Sequence, residues 1–228
     1  MKYDWILFDA DNTIYDFQAS SEIAFHLSFE DYDIATGDEE YELFRNINFE
    51  TWKAFEDNEI DHEQIKQIRF KKLFDQLNVK NIDPLKFNGL YFKKIVENPK
   101  YMEGAEQLLN NIIGNVQLGL ITNGMKEVQR PRLIHSRKLD VFDLVVISGE
   151  IGLSKPNKDF FQYAFDRMDG ADKEKVLVVG DSLVADVQGA QAYGLEAVWY
   201  NPFKVDDKNG IQPDYEINSL EELHDIIS

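Results

Sequence analysis

From Glu103 onward the chain repeats one pattern, a short apolar run followed by a longer amphipathic one. The apolar runs Val116 to Ile121, Leu144 to Ile147, Val176 to Val179 and Ala197 to Tyr200 read as buried strands. Glu103 to Ile113, Glu127 to Lys138, Asp159 to Met168 and Val184 to Tyr193 carry apolar residues at helical spacing. Ser219 opens a last helix, with Glu222 three residues on as in a capping box. Strands that are apolar throughout and alternate with amphipathic helices predict an α/β fold. In it, a Rossmann-like parallel sheet is covered by helices on both faces.

One further strand, Trp5-Ile6-Leu7-Phe8, lies far upstream of the others. The stretch between, from about Asp16 to Asn98, reads as helix throughout. Its pieces are Ser20 to Tyr32, Glu39 to Asp57, His62 to Leu77 and Pro84 to Val96. Thr36 and Glu39 have capping-box spacing, and Asp83-Pro84 places proline at a first helical position. Asn98-Pro99 marks a break. The expected organisation is a core of residues 1–15 and 99–228 interrupted by a helical domain at 16–98. No internal repeat or low-complexity linker is visible.

Composition narrows the function classes. Hydrophobic residues make up 43% of the chain and aromatics 13%, which suits a packed core and not a disordered segment. With 42 acidic against 24 basic residues, the net charge is −18, which repels nucleic-acid polymers. No apolar run approaches the ~18 residues of a membrane span. Met1 to Trp5 lacks the charged, apolar and small-residue series of a secretory signal. Cysteine is absent, so disulfide and thiolate chemistry are excluded and a cytoplasmic location is expected. A phosphate-handling site in so acidic a chain needs a local positive centre.

In open parallel sheets, ligands bind at the carboxyl ends of the strands. The first strand is followed by Asp9, Asp11 and Thr13, and the second by Thr122, Asn123 and Gly124. The third leads into a loop that reaches Lys155-Pro156, and the fourth into Gly180, Asp181, Ser182 and then Asp186. Singly, each residue has a bland explanation: Asp and Asn favour turns, Asp181-Ser182 suits a helix cap, and Lys155 suits a solvated loop. Jointly, carboxylates, a hydroxyl and one lysine at one sheet edge are what phosphoryl transfer requires.

Asp9-Ala10-Asp11-Asn12-Thr13 resembles the DxDxT signature of haloacid-dehalogenase-superfamily phosphatases. Thr122, Lys155 and the Gly180 to Asp186 segment match that superfamily's second, third and fourth motifs in order, so the resemblance spans the chain. The helical insert resembles its C1-type cap. Asp9 to Phe17, Val141 to Lys158 and Gly189 to Pro202 further resemble the bacterial pyrimidine 5'-nucleotidase group.

This resemblance implies a phosphomonoesterase with Asp9 as nucleophile and Asp11 as proton donor and later acceptor. Mg²⁺, with Mn²⁺ as a substitute, would be held by the Asp9 and Asp181 carboxylates and the Asp11 main-chain oxygen. Asp186 would bind it directly or through water. Thr122, the Asn123 backbone and Lys155 would bind the phosphate. The implied partner is a small phosphomonoester, a pyrimidine nucleotide such as dUMP, UMP or dTMP, met by a monomer or homodimer. A sugar-phosphate or phosphoglycolate phosphatase is the alternative, because only the cap distinguishes it. A dehalogenase needs neither Asp11 nor the fourth-motif acids. A phospho-accepting receiver module is the alternative of another class, although its phosphorylated aspartate follows a third strand. Of the insert's aromatics, Phe17, Phe25, Trp52, Phe55 and Phe70 are candidates to stack on a base, against the simpler expectation that they form the insert's own core. Arg130, Arg132 and Arg137 are expected at the surface, and the four histidines have no ligand-like spacing.

Overall fold

A computed structural model describes residues 1–57, 59–206 and 210–228. In chain order the elements are β1 (Trp5–Phe8), α1 (Phe17–Glu30), α2 (Asp38–Glu56), α3 (His62–Leu77), α4 (Pro84–Glu97) and α5 (Ala105–Ile112). Then come β2 (Gln117–Thr122), α6 (Lys126–His135), β3 (Leu144–Ile147), α7 (Ser148–Ile151), α8 (Lys158–Phe165) and β4 (Val176–Gly180). A π-helical turn (Leu183–Gln188), α9 (Gly189–Tyr193), β5 (Glu196–Tyr200), β6 (Tyr215–Ile217) and α10 (Leu223–Ile227) complete the chain.

The strands form one six-stranded sheet in the order β3-β2-β1-β4-β5-β6, and every neighbouring pair is parallel. β1 is buried along its whole length and pairs with both β2 and β4, so it lies at the centre. Side chains on a strand alternate between faces. Ile6 and Phe8 accordingly join Leu118, Leu120, Leu177 and Val179 in a core that includes Leu108, Leu109 and Leu223 from α5 and α10. Trp5 and Leu7 join Val176 and Val178 in the opposite core, closed by Phe160, Phe161 and Ala190 from α8 and α9. Each such side chain contributes about 1.5–3 kcal/mol by leaving water. Both faces are thus sealed, and ligands are left to the strand ends.

The contacts divide the chain into two compact units, residues 1–17 with 99–228 and residues 18–98. The second unit is a four-helix assembly around an aromatic core, in which Phe25, Phe29, Phe44, Phe70 and Phe87 are all fully buried. Phe44 and Phe70 stack with centroids 5.0 Å apart, and Phe29 meets Phe87 at 4.7 Å. Phe25 and Phe70 are therefore structural, whereas Phe17, Trp52 and Phe55 are half-buried. Arg69 crosses this core, its guanidinium held by the side-chain oxygens of Asn48 and Asn88. Burial lowers its pKa to about 10.

The structure corrects several details of the sequence reading. The capping pair at α2 falls one residue later than Thr36 and Glu39: Glu40 accepts the Gly37 N–H at 2.8 Å. Thr36 is unavailable, because its hydroxyl bonds the His26 ring at 2.8 Å. The helix expected over 184–193 divides into the π-helical turn and α9, since the Val187 N–H reaches back to Ser182 O at 3.2 Å. β6 was not expected, being only three residues long at the sheet edge. Among the described residues, no helix is long and apolar enough to cross a membrane.

Candidate active site

β1 ends at Phe8, and the Asp9 N–H continues its ladder by donating to Val179 O at 2.9 Å. The Asp9 side chain therefore projects from the carboxyl end of the central strand. The chain then turns sharply: Ile14 and Tyr15 N–H both donate to Ala10 O, and Asn12 adopts φ 60°, a left-handed conformation asparagine tolerates. This turn sets Asp11 beyond Asp9 with its side chain 27% exposed.

Lys155 unites three of the strand ends. Its ammonium is buried and donates to Asp9 Oδ1 at 2.6 Å, Asp186 Oδ1 at 2.6 Å and Ile121 O at 2.9 Å, so all three of its N–H bonds are engaged. The solvated-loop alternative for Lys155 is excluded by that burial. Asn123 fixes the Lys155 backbone on both sides, donating to Lys155 O and accepting from Lys155 N, each at 2.8 Å. The Asn123 side chain is thus a loop clamp. Thr122 is buried at the end of β2, and its Oγ1 accepts the Gly124 N–H at 3.0 Å. That leaves the Thr122 hydroxyl proton for another acceptor.

Asp186 is buried in the π-helical turn, where its Oδ2 accepts the Ser182 N–H at 3.0 Å. Gly180 permits this placement, since a Cβ there would lie 2.2 Å from Asp186 Oδ2. One carboxylate oxygen from each of Asp9, Asp181 and Asp186 lies within 4.8 Å of the other two. The Asp181 carbonyl is fixed by the Trp199 indole N–H at 3.0 Å.

The electrostatics show a deficit of positive charge. Burial pushes the Asp9 carboxyl up to about 7; Lys155 opposes the shift and Asp186 adds to it. Asp181 is raised well above the usual carboxylate range by burial, then by the charges of Asp9 and Asp186. For Lys155, burial favours the neutral amine, but Asp186 and Asp9 outweigh it and raise the pKa. One lysine cannot neutralise three close carboxylates. An all-oxygen set with excess negative charge fits a hard divalent cation.

Asp11 is held by side chains that the sequence reading did not assign to the site. Gln129 Nε2 donates to Asp11 Oδ2 at 2.6 Å, and Arg132 Nη2 donates to Asp11 Oδ1 at 2.7 Å. Arg132 was expected at the surface and is instead wholly buried. Its guanidinium lies over the Tyr15 ring, 3.9 Å from the centroid. Arg130 does lie toward solvent, paired with Glu150. The missed signal was periodic: Val128, Gln129, Arg132 and Leu133 are the buried residues of α6, so two polar residues occupy its inward stripe.

The sequence profile of haloacid dehalogenase-like hydrolases matches residues 6–200, from the central strand through β5. The chain belongs to that family. A haloacid dehalogenase-like hydrolase is an enzyme, which removes the receiver-module alternative. Among its relatives, a pyrimidine 5'-nucleotidase of Escherichia coli (strain K12) is 35% identical over 227 residues, covering 100% of this chain and 99% of the relative. A pyrimidine 5'-nucleotidase of Streptococcus pneumoniae is 30% identical over 228 residues, covering 100% and 96%. A magnesium-bound HAD-hydrolase of Bacillus subtilis superposes with a TM-score of 0.92 at 33% identity, covering 100% of both chains. That structure is reported to reveal interdomain movement in the Bacillus protein.

Proposed function

We propose that this hydrolase is a phosphomonoesterase that cleaves pyrimidine nucleoside 5'-monophosphates through a phosphorylated Asp9. The carrying observation is Asp9 itself, buried at the end of the central strand and bound to Lys155 beside two further carboxylates. The full-length likeness to two pyrimidine 5'-nucleotidases supports the substrate class.

An Asp9 oxygen attacks phosphorus; the P–O bond to the nucleoside breaks, and Asp11 gives its proton to the departing oxygen. Water then attacks the phosphorus of the Asp9 acyl phosphate, Asp11 takes the water's proton, and inorganic phosphate leaves. Lys155 offsets charge on nucleophile and ester, and the Thr122 hydroxyl and Asn123 main-chain N–H hold phosphate oxygens. Asp9 and Asp181 carboxylates, the Asp11 main-chain oxygen and Asp186 would hold Mg²⁺, with Mn²⁺ able to replace it. The ion supplies the positive charge that lets an anionic nucleophile approach an anionic ester. Residues 16–98 serve as the cap that excludes water and reads the leaving group.

Asp9→Asn should abolish phosphatase activity while leaving the circular-dichroism spectrum intact. In a panel of phosphorylated metabolites assayed with Mg²⁺, dUMP, UMP and dTMP should give the highest kcat/KM. Turnover by Asp9→Asn would end the nucleophile assignment, and a higher rank for sugar phosphates or phosphoglycolate would end the nucleotide one.

A further inference from the structure

An acid that protonates a leaving oxygen must present one carboxyl oxygen at a fixed place and angle. Asp11 opens a tight turn and is partly exposed, so the turn alone does not fix its side-chain torsions. Gln129 and Arg132 do. Between them they contact both carboxylate oxygens, at 2.6 and 2.7 Å, and so set the plane of the group.

The two are also joined to each other, since Gln129 Oε1 accepts from Arg132 Nη2 at 2.6 Å. Both are at least 98% buried, so neither can rotate into solvent. Their i, i+3 spacing puts them on one face of α6, immediately after the Thr122 strand end. Arg132 packs on Tyr15, which stacks on Tyr101 at 5.1 Å and shares a hydrogen bond with Ser136 at 3.0 Å. The support behind the carboxyl is therefore itself packed.

Arg132 is an expensive residue for a purely structural purpose. Its Nε and Nη1 are buried without any hydrogen-bond partner, and only Nη2 is engaged. Buried donors are almost always paired, so a stability-optimised stripe would place an apolar side chain here. Besides its packing on Tyr15, what the guanidinium provides is the Nη2 contact to Asp11 and to the Gln129 amide.

We propose that Gln129 and Arg132 are positioning residues for Asp11, holding its carboxyl where it passes a proton to the leaving oxygen. This rests on the assignment of Asp11 as proton donor made above. In the step concerned, the Asp9 oxygen–phosphorus bond forms, the phosphorus–leaving-oxygen bond breaks, and the Asp11 proton moves to that oxygen. A displaced Asp11 hinders only the proton transfer, so the loss must depend on how much the leaving group needs a proton.

The test compares phenyl phosphate with p-nitrophenyl phosphate, in Mg²⁺, for Gln129→Leu, Arg132→Met, Arg132→Lys and Asp11→Asn. Phenol holds its proton about as tightly as tyrosine, at a pKa of ~10. p-Nitrophenol is far more acidic and departs readily as the anion. Both substrates present the same phosphate, so binding effects cancel in the ratio. The kcat/KM term ends at leaving-group departure, so the later water step, where Asp11 acts as base, does not enter.

Gln129→Leu and Arg132→Met should lower kcat/KM for phenyl phosphate about tenfold more than for p-nitrophenyl phosphate. Arg132→Lys should recover part of that ratio. Asp11→Asn should show the same leaving-group dependence, and more strongly. Equal losses on both substrates in the Gln129 and Arg132 variants, with dependence kept in Asp11→Asn, would overturn the positioning role alone. No dependence in Asp11→Asn would remove the proton-donor assignment and the positioning role with it.

Discussion

At the scale of single residues, the site is built by contacts too close to admit alternatives. Gly180 is the sharpest case, because the space where its Cβ would stand holds the Asp186 carboxylate, 2.2 Å away. Asp186 cannot yield freely, since Lys155 and the Ser182 N–H bind its two oxygens. Gly180→Ala should therefore cost about 1–3 kcal/mol of stability by overpacking and move a carboxylate of the candidate metal set. Urea unfolding and kcat with Mg²⁺ check the two halves; wild-type values for both would show that Asp186 has room the contacts do not reveal. These positions were legible in the sequence because each lies at the end of an apolar strand or in the segment that follows it. Asp9, Thr122, Lys155 and Asp186 could be gathered from strand ends without knowing any distance. Gln129 and Arg132 could not, because Arg130 lies in the same helix and Arg137 just past its end, and composition does not show which arginine faces inward. Only the stripe shared with Val128 and Leu133 separates them, and it becomes persuasive once the face of α6 is known.

Among the elements, the strands of the core were the more legible and the helix ends the less so. A buried parallel strand must be apolar along its length, and β1 and β3 occupy the ranges their apolar runs predict. Helix boundaries depend on which of several nearby groups wins a bond, as at α2, where Thr36 is claimed by His26 and the N–H of Gly37 by Glu40. In residues 18–98 the helices cohere through aromatic packing, with Phe70 touching Phe44, Phe87 and Tyr91 at centroid distances of 5.0, 4.8 and 5.2 Å. Phe70→Ala should cost about 3–5 kcal/mol, the range for a large buried side chain whose cavity cannot collapse. Chemical denaturation of the full chain measures it, and a loss under about 1 kcal/mol would mean that the neighbouring rings close the gap. Arg69 was not foreseen, because a lone arginine in an amphipathic helix reads as surface, and its partners Asn48 and Asn88 come from two other helices.

For the whole molecule, the question is how a chain of net charge −18 supports a site for anionic esters. The answer proposed here is local: one buried lysine and a divalent ion opposed to a cluster of carboxylates. This has a consequence for stability. Burial raises Asp9 from its ordinary value of 3.8 to about 7 and raises Asp181 as well, so without metal the native state holds protons the unfolded chain has released. The contribution of Asp9 is fully present below pH 3.8 and is lost as pH rises toward about 7, and Asp181, raised in the same direction, loses its contribution above its ordinary range. A cation bound by the same carboxylates takes the place of those protons, so its affinity must rise over the same interval. The upward shift in Tm produced by Mg²⁺ should therefore be larger at about pH 8 than at about pH 5.5, compared at equal ionic strength so that screening of the overall charge cancels. In Asp181→Asn the shift should shrink at both values, since one charged ligand is gone. A Tm shift independent of pH, or larger at the acidic value, would place the stabilising ion elsewhere than on Asp9 and Asp181.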